Sequence, residues 1–253
     1  MCKKILAILL SCLLLCSCFS FLAFAEDAET VLTNAAETND FVIVSNDYTV
    51  PLRIVPATLT QGGESQEIRL VMILGVKNSV NGKPNKQANN LLNCFLAAFN
   101  LPNSYYSLVK ETIFNEIPAG SKLVFACHSL GGMVAQQLRT DADLKDAYEI
   151  VHTVTCGSPY IMVKNEAEGT FSRLINKNDA IPYMSPATVI APKKQFGDCY
   201  RIDGGYRTDF DAAHTKSYPD PAYWGDYDAL GNPGGDATLR FDAAAVATYG
   251  EVA

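Results

Sequence analysis

One serine stands in a sequence context that is typical of nucleophilic catalysis. The apolar run at residues 123–126 leads into the letters CHSLGG at residues 127–132, and an apolar segment follows. This order predicts a nucleophile elbow, in which a strand turns sharply into a helix and presents a serine hydroxyl to a base and to oxyanion donors. Gly131 and Gly132 provide the small side chains that the turn requires, whereas Cys127 stands where the usual pattern has glycine. We therefore predict that Ser129 is a nucleophile, the alternative being an ordinary glycine-punctuated turn.

A histidine must act as the base if Ser129 is a nucleophile, and the search is short because the sequence contains three. His128 is fixed beside the serine. His152 lies within a predicted core strand, upstream of any plausible acid. His214 remains, in a late polar loop at residues 211–218, and we predict it as the general base.

The acid that orients this histidine has several candidates. They are Asp179, Asp198, Asp203, Asp209 and Asp211. Asp179 follows a predicted strand at residues 171–176, so it lies at the carboxyl end of that strand, where open α/β sheets place their functional residues. We predict Asp179 as the acid of the triad, with Asp203 as the chief alternative.

The elements that position these residues alternate between apolar strands and amphipathic helices. Strands are predicted at residues 41–44, 48–55, 67–74, directly before the elbow, 149–156 and 171–176, and helices at 87–99, 105–117 and from the elbow to about residue 139. This order is typical of an α/β fold with parallel strand pairing. We predict a single domain with a mostly parallel central sheet and helices on both faces.

The N-terminus predicts export from the cell. Lys3 and Lys4 precede a long apolar run, and the letters AFA at residues 23–25 stand just before two acidic residues. This layout is typical of a secretory signal peptide at residues 1–25. One alternative is a lipoprotein in which Cys18 is lipidated, because the letters LCSC at residues 15–18 resemble a lipobox, and another is an uncleaved anchor.

The remainder of the chain divides into three predicted parts. Residues 26–40 are acidic and poor in aromatic side chains, which predicts a flexible leader. The catalytic domain is predicted over residues 41–218, and residues 219–253 are predicted as a C-terminal extension that packs on it. No segment after residue 25 is apolar for long enough to predict a membrane span.

Composition limits the partners and cofactors. The formal net charge of −7 argues against nucleic acid or an anionic membrane surface as a partner and favours a neutral substrate. The cysteines after residue 25 are Cys94, Cys127, Cys156 and Cys199. We expect no essential disulfide among them, since buried free thiols are common in such core positions. The Gly- and Asp-rich stretch at residues 225–236 lacks the spacing of a calcium loop, so neither a metal nor another cofactor is predicted.

Three segments, in order, resemble the class 3 lipases of the α/β-hydrolase fold. The elbow at residues 127–132 is similar to their Gly-His-Ser-Leu-Gly-Gly motif, the letters GSP at 157–159 to their Gly-x-Pro turn, and NDAIP at 178–182 to their acid loop. His214 with Tyr218 completes the set. The resemblance covers roughly residues 67–218, and it implies an α/β-hydrolase fold that acts on acylglycerols or related esters.

The oxyanion segment departs from that family. Its members carry Arg-Gly-Thr after the strand preceding the elbow strand, where the threonine helps to form the oxyanion hole, whereas residues 74–79 here are LGVKNS. We predict the backbone N–H groups of Leu130 and Val76 as the two oxyanion donors.

The sequence thus predicts a secreted serine hydrolase that cleaves carboxylic esters through Ser129, His214 and Asp179, with no cofactor. Alternatives on the same fold are a phospholipase, a polysaccharide deacylase and a serine peptidase. A different class is a secreted binding module that kept the fold and lost the activity, supported by the unusual oxyanion segment and by Cys127.

Overall fold

The computed structural model describes residues 29–43, 50–76, 79–80, 83–84, 89–162, 166–190 and 197–250. The predicted signal peptide at residues 1–25 and the alternative lipidation at Cys18 lie outside these ranges. Within them, no helix combines the length and the apolar character that crossing a membrane requires.

Strands and helices alternate through the centre of the chain, as the apolar periodicity predicts. The strands are β1 (Glu29–Leu32), β2 (Leu52–Gln61), β3 (Glu64–Ile73), β4 (Ser79–Val80), β5 (Lys83–Pro84), β6 (Lys122–His128), β7 (Glu149–Cys156), β8 (Thr170–Asn176), β9 (Asp198–Ile202), β10 (Thr238–Asp242) and β11 (Ala247–Tyr249). The α-helices are α1 (Ala35–Ile43), α2 (Leu91–Ala98), α3 (Ser104–Glu116), α4 (Leu130–Leu138), α5 (Ala142–Ala147), α6 (Pro186–Ile190), α7 (Phe210–Thr215) and α8 (Pro221–Trp224). Short 3-10 helices cover Ile181–Tyr183 and Ala243–Ala245.

Within the described ranges, a nine-stranded sheet has the order β1, β10, β2, β3, β6, β7, β8, β9, and β11 also pairs with β2. The strands β3, β6, β7, β8 and β9 pair in parallel. At the other edge, β2 pairs antiparallel with β3, β10 and β11, and β1 pairs antiparallel with β10. The strands of this sheet other than β1 and β2 therefore run in one direction. The predicted α/β class with a mostly parallel sheet is confirmed, while the antiparallel edge was not predicted.

Helices cover both faces of the sheet, as predicted. On β6, Phe125 and Cys127 point to one face and Val124 and Ala126 point to the other, and all four side chains are buried. Helices α2 to α5 pack on the first face, and α1, α8 and the C-terminal segment pack on the second. A strand buried on both faces must be apolar along its length, which explains the run that precedes the elbow.

The predicted flexible leader at residues 26–40 is wrong for the part that the structure describes, and so is the strand predicted at 41–44. β1 belongs to the sheet, and α1 continues through residue 43. Glu37, whose charge suggested disorder, instead caps α1. Its carboxylate accepts a hydrogen bond from Thr33 N–H at 2.6 Å, and its own N–H donates to Asn34 Oδ1 at 3.0 Å. The polar residues of this segment therefore begin a helix, in the manner of a capping box.

The C-terminal extension at residues 219–253 does more than pack on the domain surface. Its strand β10 lies within the sheet, between β1 and β2. Trp224 is fully buried, and its ring stacks on Tyr218 with the centroids 6.0 Å apart. The carbonyl of Leu230 lies 2.8 Å from His152 Nε2 on β7. The described part of this segment is therefore integral to the core.

Candidate active site

The turn between β6 and α4 has the geometry of a nucleophile elbow. Ser129 adopts φ 54° and ψ −121°, a conformation that non-glycine residues rarely adopt. A Cβ atom on Gly131 would lie 2.0 Å from the carbonyl oxygen of Ile73, and one on Gly132 would lie 2.5 Å from Ser158 Oγ. Both positions thus require glycine because neighbouring groups pack against them, which is the reason for the small residues after the serine.

His214 and Asp179 form a direct hydrogen-bonded pair. Helix α7 carries His214, and Asp179 follows β8. The distance from His214 Nδ1 to Asp179 Oδ2 is 2.8 Å, and the Asp179 side chain is completely buried. Oδ2 also accepts a hydrogen bond from Tyr218 Oη at 2.8 Å, and Oδ1 accepts one from the N–H of Ile181 at 2.9 Å. These contacts satisfy the buried carboxylate and fix its orientation toward the imidazole.

A glycine after β7 lets this pair reach the elbow. Gly157 has φ 61°, and a Cβ atom there would lie 3.0 Å from His214 Cε1 and 3.1 Å from Asp179 Oδ2. The elbow is tied to the same point, because Ser129 N–H donates to the carbonyl of Cys156 at 3.1 Å. The structure therefore brings the three predicted site residues, Ser129, His214 and Asp179, to one end of the parallel strands.

His128 is a neighbour of His214, and its part in the site was not predicted. Its Nε2 lies 3.0 Å from the carbonyl oxygen of His214, and the two rings lie 4.5 Å apart. Because a carbonyl only accepts, His128 Nε2 carries the proton in this contact. Burial, followed by repulsion from His214, holds the pKa of His128 well below its ordinary value. The neutral imidazole of His128 thus contacts both the backbone and the ring of His214. In the sequence, the only indication of this contact was that His128 stands next to Ser129.

Asp203, the chief alternative for the acid, points elsewhere. Its carboxylate is 46% exposed and forms a salt bridge with Arg207 Nη2 at 2.8 Å. It also accepts a hydrogen bond from Asn178 Nδ2 at 2.7 Å. Another candidate, Asp209, caps α7 by accepting from the N–H of Ala212 at 3.0 Å. The geometry therefore favours Asp179 as the partner of the histidine.

A cavity of about 1430 Å³ opens at Ser129 and His214. Its apolar walls include Val76, Leu91, Leu92, Phe95, Phe99, Met133 and Met184. The helix predicted over residues 87–99 corresponds to α2, which covers Leu91–Ala98. Its apolar residues Leu91, Leu92 and Phe95 are between 60% and 67% exposed. These side chains line the cavity instead of filling the core, so the site is bordered by an apolar wall.

Both predicted oxyanion donors lie at this site. Leu130 is the first residue of α4, so its N–H lacks an acceptor one turn earlier in the helix. Val76 lines the cavity, and its neighbour Gly75 packs against the elbow, where a Cβ atom would lie 2.8 Å from Ser129 Cβ. Both residues therefore lie near Ser129.

Two further groups considered in the sequence are the cysteines and the Gly- and Asp-rich stretch. Cys94, Cys127, Cys156 and Cys199 carry free thiols. In the stretch at residues 225–236, Asp228 closes a turn by accepting hydrogen bonds from the N–H groups of Leu230 and Asn232 at 3.0 and 2.9 Å. No group of three or more His, Cys, Asp or Glu side chains in the described ranges is arranged to hold a metal ion.

Comparison with protein-family models, with curated proteins and with solved structures found no match to this chain.

Proposed function

We propose that this chain is a serine hydrolase that cleaves carboxylic esters through an acyl-enzyme intermediate. The observation that carries the proposal is the 2.8 Å contact between His214 Nδ1 and the buried Asp179 carboxylate, beside a cavity that also contains Ser129 on a strained turn. A nucleophile, a base and an orienting acid are thus available in the roles that acyl transfer requires.

The chemistry follows from these positions. Ser129 Oγ attacks the ester carbonyl carbon while His214 Nε2 removes the hydroxyl proton. Asp179 keeps the proton on Nδ1 and stabilises the imidazolium that forms. The N–H groups of Leu130 and Val76 stabilise the oxyanion. His214 then protonates the leaving alcohol, and a water molecule repeats the sequence on the acyl-enzyme, which releases the acid and regenerates Ser129.

The α/β-hydrolase fold is part of this proposal. Its support is the chain order Ser129, Asp179, His214, together with a central elbow strand β6, an acid after β8 and a histidine after β9. The resemblance of residues 67–218 to class 3 lipases agrees with this order. We therefore propose a lipase-like member of that fold, and export with removal of residues 1–25 stays a prediction.

The cavity wall supports an acyl ester as the substrate class. Burial of each CH2 group of an acyl chain against apolar side chains contributes about 0.8 kcal/mol, whereas a polysaccharide or a peptide would leave polar groups without partners there. Acylglycerols or related lipid esters therefore fit the site best, and phospholipids are the alternative substrate class.

Labelling with a fluorophosphonate tests the proposal. The reagent is expected to attach to Ser129, and Ser129→Ala is expected to abolish both labelling and hydrolysis of p-nitrophenyl esters, because the nucleophile is lost. The measurements are mass spectrometry of the labelled peptide and turnover with a chain-length series of esters.

Ser185→Ala is the matched control. Ser185 lines the same cavity and is buried, but its hydroxyl donates to the carbonyl of Tyr160. Removal of the Ser185 hydroxyl should leave the labelling of Ser129 unchanged. A wild-type protein that neither reacts with the probe nor hydrolyses esters would instead be a binding module.

A further inference from the structure

The segment at residues 74–76 forms a wall of the site directly beside the nucleophile. A Cβ atom on Gly75 would lie 2.8 Å from Ser129 Cβ and 3.0 Å from His128 Nδ1. Any larger residue would displace one of these groups. The main chain at Gly75 therefore lies directly against the elbow. The orientation of its peptide groups determines whether a C=O or an N–H faces Ser129 and a bound substrate.

Asn89 holds this segment in place. The side chain is fully buried, and its Nδ2 donates a hydrogen bond to the carbonyl oxygen of Gly75 at 3.1 Å. The peptide bond from Gly75 to Val76 is trans, as there are no cis peptide bonds in the described ranges. In a planar trans peptide, the C=O and the N–H point in opposite directions. The contact that fixes the Gly75 carbonyl therefore also fixes the direction of Val76 N–H.

Val76 N–H is available for an oxyanion. Val76 lines the cavity, and among the described residues none accepts a hydrogen bond from its N–H. We propose that Asn89 is a positioning residue of the oxyanion hole, which turns the peptide between Gly75 and Val76 so that Val76 N–H meets the oxyanion formed on Ser129. This inference rests on the proposed function.

The proposal accounts for a buried amide in this place. A buried amide is costly unless it is hydrogen-bonded, and an apolar side chain could fill the same volume without that cost. A preorganised donor is most effective when it does not reorient during the reaction. In the class 3 lipases that the sequence resembles, a threonine on the oxyanion segment helps to form the oxyanion hole. Here Asn89, which lies outside that segment, supplies the rigidity.

The test uses Asn89→Ala and Asn89→Asp in the full chain. Loss of one oxyanion donor typically lowers kcat by 10² to 10³, and Asn89 acts through the backbone, so we expect kcat to fall by roughly 10- to 100-fold. KM for a p-nitrophenyl ester should stay within about threefold. The inhibition constant of a trifluoromethyl ketone, which forms a tetrahedral oxyanion adduct, should rise in parallel with the loss in kcat/KM.

The Asn89→Asp variant adds a pH readout that a merely structural role would not give. An ionised carboxylate at this position cannot donate to the Gly75 carbonyl, whereas a protonated carboxyl can. The ratio of variant to wild-type kcat/KM should therefore rise as the pH falls. Because burial raises the pKa of a carboxyl, the rise should begin above the ordinary range of aspartate.

Asn103→Ala is the matched control. Asn103 is also buried, and its Nδ2 donates to the carbonyl of Leu101 at the same distance of 3.1 Å. It also donates to Gln137 Oε1 near the end of α4 at 2.9 Å, and its Oδ1 caps α3 by accepting from the N–H of Tyr106 at 2.8 Å. Its loss should lower the thermal midpoint while kcat stays within about threefold of wild type. If Asn89→Ala keeps wild-type kcat, or if the kcat/KM ratio of Asn89→Asp to wild type does not vary with pH, the inference is wrong although the hydrolase proposal stands. A wild-type protein without labelling or ester hydrolysis overturns both.

Discussion

Asp179 is the residue on which the proposed site depends most. Its carboxylate makes three hydrogen bonds, with His214, Tyr218 and the N–H of Ile181, and its side chain has no exposed surface. The Tyr218 hydroxyl that donates to it has a pKa well above the ordinary value, chiefly because of burial and then because of the Asp179 charge. Tyr218 therefore remains protonated and keeps donating at neutral pH.

The proposed triad predicts strong non-additivity between Asp179 and His214. Asp179→Asn should lower the turnover number by roughly 10³ to 10⁴, because the amide no longer holds the required tautomer of His214 or stabilises the imidazolium. The double variant with His214→Ala should be scarcely slower than His214→Ala alone, since both residues act in one proton transfer. Turnover of a p-nitrophenyl ester by the three variants gives the comparison.

Asp203→Asn is the control for this prediction. Asp203 follows the adjacent strand β9 but pairs with the exposed Arg207. Its replacement should leave turnover within about threefold of wild type. If Asp203→Asn is crippling while Asp179→Asn is not, the acid has been assigned to the wrong residue.

At the scale of elements, the exposed apolar face of α2 is the feature of the site that a substrate could cover. Phe95 and the C-cap residue Phe99 lie with ring centroids 4.8 Å apart, and both border the cavity while 60% and 50% exposed. An apolar helix face with this exposure gains free energy when an acyl chain covers it. The helix is therefore expected to contribute to selectivity for chain length.

Phe95→Ser should reduce this selectivity. The value of kcat/KM for a dodecanoyl ester should fall roughly tenfold, because burial of a phenylalanine side chain contributes about 1.5–3 kcal/mol, while kcat/KM for the acetyl ester should hardly change. The control is Phe114→Ser on α3, where Phe114 is 40% exposed but packs on Tyr148 outside the cavity. Equal losses for both esters would assign Phe95 a structural role instead.

Some elements could be predicted from local sequence and others could not. Strand β7 matches its prediction residue for residue, and α3 differs from its prediction by one residue at each end, because a buried apolar run or a helical period is a local signal. Local sequence does not determine whether the apolar face of α2 points into the core or into the cavity. The start of α1 was not predicted because the polar and acidic residues that cap a helix, such as Glu37, are also common in flexible leaders.

The same limit applies within the candidate site. Ser129 could be found because the elbow is contiguous, and His214 could be found because few histidines exist. The contact of Asn89 with Gly75 joins positions 14 residues apart through a segment without a periodic pattern. Such a contact depends on tertiary packing, so no motif announces it.

At the scale of the whole molecule, both ends of the described chain close one sheet. β1 and β10 are adjacent strands although they lie near opposite ends of the chain, with Glu29 paired to Asp242 and Leu32 to Leu239. Pairing over such a separation has a high cost in chain entropy, and no local pattern encodes it. The C-terminal segment was therefore predicted as an extension, although it completes the core beside the N-terminal strand.

Two buried histidines make the stability of this core depend on pH. Burial lowers the pKa of His152 to about 4 and that of His128 well below the ordinary 6.5. The unfolded chain therefore binds protons below about pH 6.5 that the folded protein does not bind. The free energy of unfolding should fall as the pH drops from about 6.5 toward 4, by up to about 1.4 kcal/mol per pH unit for each histidine.

Urea denaturation at several pH values between about 4.5 and 7 measures this slope. His152→Gln should reduce the slope by the contribution of about one proton, because glutamine does not titrate, even if the variant is less stable at every pH. His152 connects Thr170 Oγ1 at 2.6 Å with the Leu230 carbonyl at 2.8 Å, so it links β7 to β8 and to the C-terminal segment. Its protonation should therefore weaken the molecule where the chain ends meet the parallel strands. A slope that is the same in wild type and variant would show that His152 is not the group that takes up the proton.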